Sequence, residues 1–387
     1  MTPSPDSAET PSPASPKHLS KRELYTLSAA TAVVTANAYY IHPIIAVVAD
    51  DFGVSHAMIG MVPAFNQIAL ALGILLLLPL GDWVSNRRLT GIFVVLGFFT
   101  IAPYLLPTYV SKRVAPGDLG KATAIITTGI IAGILLARAG AGVMGEYLGW
   151  RSVYIVAAAL MLAVTFALPM IMEKRDSRTV AAPGQSYVGL IASIVPIMRQ
   201  HPEIMLSGSI QALGFGIFLS IWMGLGLHLT SPEMGYGVDV VGYLALFAIF
   251  NLFTTPRLGA WADKVGPRRA RLTVASTQLF GVALMFFVGG SLWLLMIPIV
   301  IMNIGGPLID ICNRMTFLNK APEIRTRLMT VYIVMMFIGG GAASWAGTAA
   351  YDLAGWHGNA LLALAMALCL WALCALSLRG TKKDVKA

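Results

Sequence analysis

Three charged residues sit inside long apolar runs of this chain: Arg138 in GILLARAGAG, and Asp310 with Arg314 in LIDICNRM. A charge in hydrocarbon is costly, so by default it marks a pathway or a paired structural site. Arg138 stands toward the middle of its run, within the stretch from Gly129 to Gly142 whose glycines permit close helix approach. It is a candidate for holding an anionic group; the plainer alternative is that it snorkels or pairs with a neighbouring carbonyl. Asp310 and Arg314 share a helix face four residues apart and can neutralise each other, whereas an unpaired Asp310 would be suited to carrying a proton. They are the proton-coupling candidates.

Uncharged polar groups extend the set. Gln211, Phe215, Phe218 and Trp222 step by four, three and four residues along one helix face, a stripe that suits a cavity wall or helix packing. Asn37, Tyr40 and Ile44 make a similar face on the first run, with Tyr39 and His42 beside it. Asn66, Gln67 and Asn251 add amides, which in spans either line a cavity or bridge helices. The substrate-cavity candidates are therefore Asn37, Tyr40, His42, Asn66, Gln67, Arg138, Gln211, Trp222 and Asn251. There is no Walker loop, catalytic constellation or metal-ligand cluster, and Cys312, Cys369 and Cys374 lack ligand spacing. The reading is of a protein without cofactor or metal that is not an enzyme.

The elements that must position these residues are apolar helices. At 57% hydrophobic and 12% charged, the 387 residues carry about half the charge of an ordinary soluble domain. Eleven stretches of roughly the twenty residues that cross a bilayer lie near 25–48, 57–79, 89–110, 122–145, 151–172, 204–229, 238–257, 270–290, 292–315, 327–348 and 358–378. The expected organisation is a disordered Pro- and Ser-rich tail over 1–24, an amino-terminal bundle over 25–172, a linker over 173–203, a carboxy-terminal bundle over 204–378, and a tail over 379–387.

Charge assigns the sides. If the tail is cytoplasmic, 23 of the 27 Lys and Arg residues fall in cytoplasmic clusters, as the positive-inside rule expects. Both termini then lie inside, and the net charge of +9 reflects topology rather than nucleic-acid binding. One conflict remains. Arg87 and Arg88 on one hand, and Lys112 and Arg113 on the other, both belong inside, yet a single span-length stretch separates them.

An internal repeat explains the conflict. PLGDWVSNRRL in the first half answers RLGAWADKVGPRRARL in the second, and VAPGDLGKA answers KAPEIRTRL. Ala115 to Gly149 and Ala321 to Gly355 are both 34 residues, but Asp82 to Ala115 is 33 where Asp263 to Ala321 is 58. The shortfall of 25 residues is about one crossing. The architecture expected is an all-α polytopic membrane protein of six plus six helices, with the fourth largely absent and 89–119 forming a short hairpin or re-entrant segment.

These motifs resemble the major facilitator superfamily from about Tyr25 to Leu378, with a gap where the fourth span belongs. GDWVSNRR and GAWADKVGPRR resemble that family's loop signature between spans two and three and its repeat between spans eight and nine. NAYYIHPII resembles the Tyr-Tyr-x-Gln-Pro-like run of bacterial efflux members, with His42 where Gln is usual. The resemblance implies alternating-access export of drugs, sugars or metabolites against protons by a monomer in the inner membrane. It also implies a cytoplasmic gating motif of Asp82, Arg87, Arg88, Gly259, Asp263, Gly266, Arg268 and Arg269. Leu78 and Asn86 replace expected glycines, and the family's fourth-span Arg, associated with proton coupling, has no counterpart. The shortfall motivates the alternative of a truncated, non-transporting relative that serves as a binding or scaffold protein or is a defective product.

Overall fold

The computed structural model describes residues 19–77, 110, 119–171, 187–318 and 325–384. The segment expected to lack a helix, with Asp82, Arg87 and Arg88, lies outside them. The described residues are helical throughout their long elements: α1 Lys21–Ala36, α2 Ile41–Phe52, α3 His56–Leu77, α4 Leu119–Leu148 and α5 Trp150–Ile171. Two short helices, α6 Tyr187–Ala192 and α7 Ile194–Gln200, lead into the second half. There follow α8 Pro202–Leu229, α9 Val238–Ala245, α10 Phe250–Val265, α11 Pro267–Val288, α12 Leu292–Leu318 and α13 Arg325–Asp384. Among the described residues nine helical stretches are long and apolar enough to cross a membrane; the last, of 52 residues, is long enough for two crossings. It is divided at Ala354 and Gly355, whose backbone is non-helical.

Two boundaries correct the sequence reading. The first helix starts at Lys21, inside the expected tail, because Ser20 closes a capping box: its hydroxyl accepts from the Glu23 N–H, and the Glu23 carboxylate accepts from the Ser20 N–H. The last helix runs to Asp384, into the tail expected from 379. With no Pro or Gly after Gly380, nothing in the sequence ends it sooner.

The first crossing is broken between α1 and α2, and Pro43 accounts for the break. A proline has no N–H for the carbonyl four residues back and clashes with it, so the preceding turn tightens into three-residue bonds, Tyr39 N–H to Ala36 O at 2.9 Å and His42 N–H to Tyr39 O at 3.3 Å. A 3-10 turn over Leu246–Ile249 similarly joins α9 to α10 within one crossing.

Side-chain ties define two faces. Arg151 meets Asp51 at 2.7 Å, and His56 meets Asp352 at 2.8 Å. The end of α2, the starts of α3 and α5 and the middle of α13 therefore share one end of the molecule, the turn face, and the end of α8 joins them through His228, whose ring lies 6.5 Å from that of Tyr351. Arg268 meets Glu203 at 2.9 Å and donates to the Ser377 carbonyl, which places the starts of α8 and α11 and the distal part of α13 at the opposite, termini face.

The halves meet along two seams that the repeat interchanges: α3 against the first part of α13, and α4 against α9. Apolar burial gives little drive inside lipid, so close contact through small residues must supply it. A Cβ on Gly142 would lie 2.7 Å from the Val238 carbonyl oxygen, and one on Gly341 would lie 2.9 Å from that of Ala64. Large apolar side chains such as Phe166, Phe253, Phe280 and Phe287 point outward, as a lipid-facing surface requires.

Within the first bundle, a Cβ on Gly133 would collide with the backbone of Ala32, whereas one on Gly140 would meet nothing. Gly133→Ala is expected to cost about 1–3 kcal/mol by overpacking, and Gly140→Ala to stabilise by up to about 1 kcal/mol through helix propensity. Opposite shifts of the thermal unfolding midpoint in detergent check the pair.

Candidate functional site

Arg138 is the group around which the middle of the molecule is arranged. It is 1% exposed and lies ten residues from the end of α4, roughly 15 Å along the helix at ~1.5 Å per residue. Its terminal nitrogen lies 2.9 Å from His42 Nδ1. A guanidinium only donates, so Nδ1 is the acceptor and the histidine proton sits on Nε2. Three aromatic faces complete the surroundings, with ring centres 4.4 Å (Trp222), 4.7 Å (Phe218) and 5.1 Å (Tyr39) from the guanidinium carbon.

The cage draws on both bundles. The break at Pro43 presents Tyr39 and His42 from the first crossing, and α8 supplies Phe218 and Trp222 from the second half. A Cβ on Gly226 would lie 2.7 Å from the His42 carbonyl oxygen, so α8 and α2 approach closely at His42 itself.

Magnitudes show what is missing. Each aromatic face offers about 0.5–2 kcal/mol, while a buried charge costs several kcal/mol and retains donors that need acceptors. Among the described residues no carboxylate pairs with Arg138. Its Nε and His42 Nε2 are both buried without a hydrogen-bond partner there.

A second polar centre lies toward the termini face. Arg314 grips Asp310 at 2.9 Å, and the Tyr332 hydroxyl donates to the same carboxylate at 2.7 Å. Beside it the buried Arg271 donates to the Asn313 side-chain oxygen at 2.7 Å, and Asn313 donates to Gln211 at 3.2 Å. The stripe read from the sequence on α8 connects the centres. Gln211 belongs to this network, Phe218 and Trp222 belong to the cage, and Phe215 stacks on Phe218 between them at 6.1 Å.

The remaining candidates are dispersed. Tyr40 turns away from the cage into an apolar cavity of about 180 Å³ between α1, α4 and α5, lined also by Ala36, Gly133, Ala137 and Met144. Asn37 bonds weakly to the Val33 carbonyl at 3.5 Å. Gln67 is buried at the α3–α13 seam, and neither of its amide atoms has a partner among the described residues; one oxygen of Asn66 and of Asn251 is likewise unpartnered there. In the loop motif, Gly266 adopts φ 87°, a backbone conformation that favours glycine, and ends α10. Gly259 is half-buried, while Asp263 and Arg269 are exposed.

Sequence reasoning missed the turn-face ties. The Val238 N–H donates to Glu146 at 3.0 Å, and the Ala57 N–H donates to Asp352 at 2.7 Å. Each carboxylate thus caps the first turn of a helix in the opposite bundle. The signal was present: both acids stand three residues before a Gly-Trp pair, EYLGW and DLAGW, whose glycines adopt φ 79° and 58°.

Because Arg138 is buried at a net cost, Arg138→Met, which keeps most of the volume, is expected to stabilise the folded protein by on the order of 1 kcal/mol while abolishing any activity that needs the charge. Thermal unfolding and flux assays on the same preparation check the two halves of that statement.

The whole chain can now be compared with known proteins. The model of the Major Facilitator Superfamily matches residues 89–323 and 204–387. The uncharacterized transporter YgaY of Escherichia coli O157:H7 is 26% identical over 385 residues, covering 91% of this chain and 95% of that protein. The multidrug resistance protein MdtG of Klebsiella pneumoniae (strain 342) is 23% identical over 240 residues, covering 60% of this chain and 56% of that protein. The crystal structure of the nucleoside transporter NupG superposes with a TM-score of 0.71 at 15% identity, over 92% of this chain and 99% of that one. With the family model matching most of its length, the chain belongs to the Major Facilitator Superfamily, a family of membrane transporters rather than enzymes.

Proposed function

We propose that this transporter exports small organic molecules by rocking its two bundles about the Arg138 cage, with both termini in the cytoplasm. The observation that carries the reading is the pairing of a site built from both bundles with a turn face closed by repeat-related caps, Glu146 on α9 and Asp352 on α3. The positive-inside rule makes the termini face cytoplasmic, so this conformation is closed to the outside and loads from within. The multidrug resistance relative is consistent with outward movement of organic molecules.

Release of both caps then opens the path outward. Asp310 is occupied by Arg314 and Tyr332, and it serves on this reading to brace α12 against α13.

Two measurements test this. Proteoliposomes loaded with a dye or drug panel are expected to lose solute faster than empty-protein controls under an imposed pH gradient or potential; no movement of any solute would count against transport and favour the scaffold alternative. Spin labels at the exposed Ser55 and Leu353 report the α3–α13 seam. Combining Glu146→Gln with Asp352→Asn is expected to raise the long-distance population on the order of tenfold, from about 1.4 kcal/mol of lost capping.

A further inference from the structure

Resting on that transport reading, we propose that the substrate is a small organic oxyanion with a planar, preferably aromatic body, bound by Arg138 and His42 against Trp222, Phe218 and Tyr39.

The chemistry of the unmet groups names the ligand. Arg138 Nε–H is a donor, and so is His42 Nε2–H, because His42 Nδ1 already accepts from the guanidinium at 2.9 Å. Both nitrogens are buried and unpartnered among the described residues. Two buried donors, one of them cationic, call for an acceptor that carries negative charge, such as a carboxylate or a phosphate. A cationic substrate would meet a fixed positive charge, and a neutral one would leave it uncompensated.

The walls name the rest of the molecule. The three rings pack around the guanidinium at 4.4 to 5.1 Å from its carbon, and Phe215 continues the aromatic surface toward the termini face through its stack on Phe218. An arriving anion draws the guanidinium to its oxygens, and the indole and phenyl faces that caged the cation become the surface for the anion's own planar group. His42 orients the guanidinium from one side through Nδ1 and offers the Nε2–H to the ligand as a second donor. The cage spans both bundles, so an anion that competes with Trp222 and Phe218 for Arg138 loosens the contact that must part when the bundles rock.

The test uses the purified full chain in nanodiscs, titrated by calorimetry with benzoate, indole-3-acetate and phenyl phosphate beside benzamide, indole-3-acetamide and benzylamine. At least one anion is expected to bind about tenfold or more tightly than its neutral counterpart, as a charge-assisted hydrogen bond of about 1.5 kcal/mol or more requires. The preference should vanish in Arg138→Gln, survive weakened in Arg138→Lys, and fall for the aromatic anions in Trp222→Leu. Equal binding of amides and anions, preference for benzylamine, no binding by any probe, or an unchanged preference in Arg138→Gln would overturn the proposal and leave Arg138 a bolt between the bundles. Flux separates the two readings. Movement of neutral or cationic solutes that is indifferent to Arg138→Gln sinks the anion while keeping the transporter. Anion binding without flux of any solute sinks the transport cycle while keeping the site.

Discussion

A guanidinium held near the middle of a membrane-spanning helix, with no carboxylate paired to it among the described residues, is the constraint around which this molecule is arranged. Such a charge cannot be left to lipid, and three features of the sequence converge on it. Pro43 breaks the first crossing and turns Tyr39 and His42 toward it. The α8 stripe brings Phe218 and Trp222 from the other half. Gly226 lets that helix approach the His42 backbone closely enough for the cage to close. Arg138 is therefore a contact between bundles as well as a charge inside one, and whatever relieves its unmet hydrogen bonds also alters the packing between the halves.

The seams around the cage follow from the repeat. Because α3 meets α13 as α4 meets α9, one solution to close packing is used twice: glycine on one helix against backbone on its partner, finished at the turn face by a carboxylate over a helix start. Each cap is modest in energy, about 0.3–1 kcal/mol near a surface, and that suits a gate. A closure made of strong interactions would trap one conformation, whereas two weak caps above a close-packed seam can be exchanged for other contacts at little cost.

The fold was legible because its signals are collective. Span-length apolar runs, clustered Lys and Arg, and two halves in register each average over many residues, and the same counts show the segment between Asp82 and Ala115, which lies outside the described residues but for Val110, to be shorter than its counterpart in the second half. The site was legible only in part. Arg138, His42 and Trp222 stood out as polar or aromatic groups at helical spacing, but their convergence depends on a kink and on a contact between helices far apart in sequence. Tyr40 illustrates the limit, since helical periodicity drawn straight through residues 37–40 puts it beside Asn37 and Ile44, while the turn forced by Pro43 sends it into the α1, α4 and α5 cavity. The caps were missed because an acid at the end of an apolar run reads as a solvated terminus. Only the shared spacing to Gly-Trp in EYLGW and DLAGW distinguishes Glu146 and Asp352.

The same residues bear on what drives the cycle. Asp310, an acid within a membrane-spanning helix, is held by Arg314 and Tyr332. If the solute is an anion, the energetic problem changes. A membrane that is negative inside expels negative charge, by about 2.3 kcal/mol per elementary charge for each 100 mV. One net charge leaving with the solute would sustain a gradient of roughly fiftyfold at that potential, since each 1.4 kcal/mol is a factor of ten. On the export reading, a transporter loaded from the cytoplasm through a cationic cage then works outward on the potential alone.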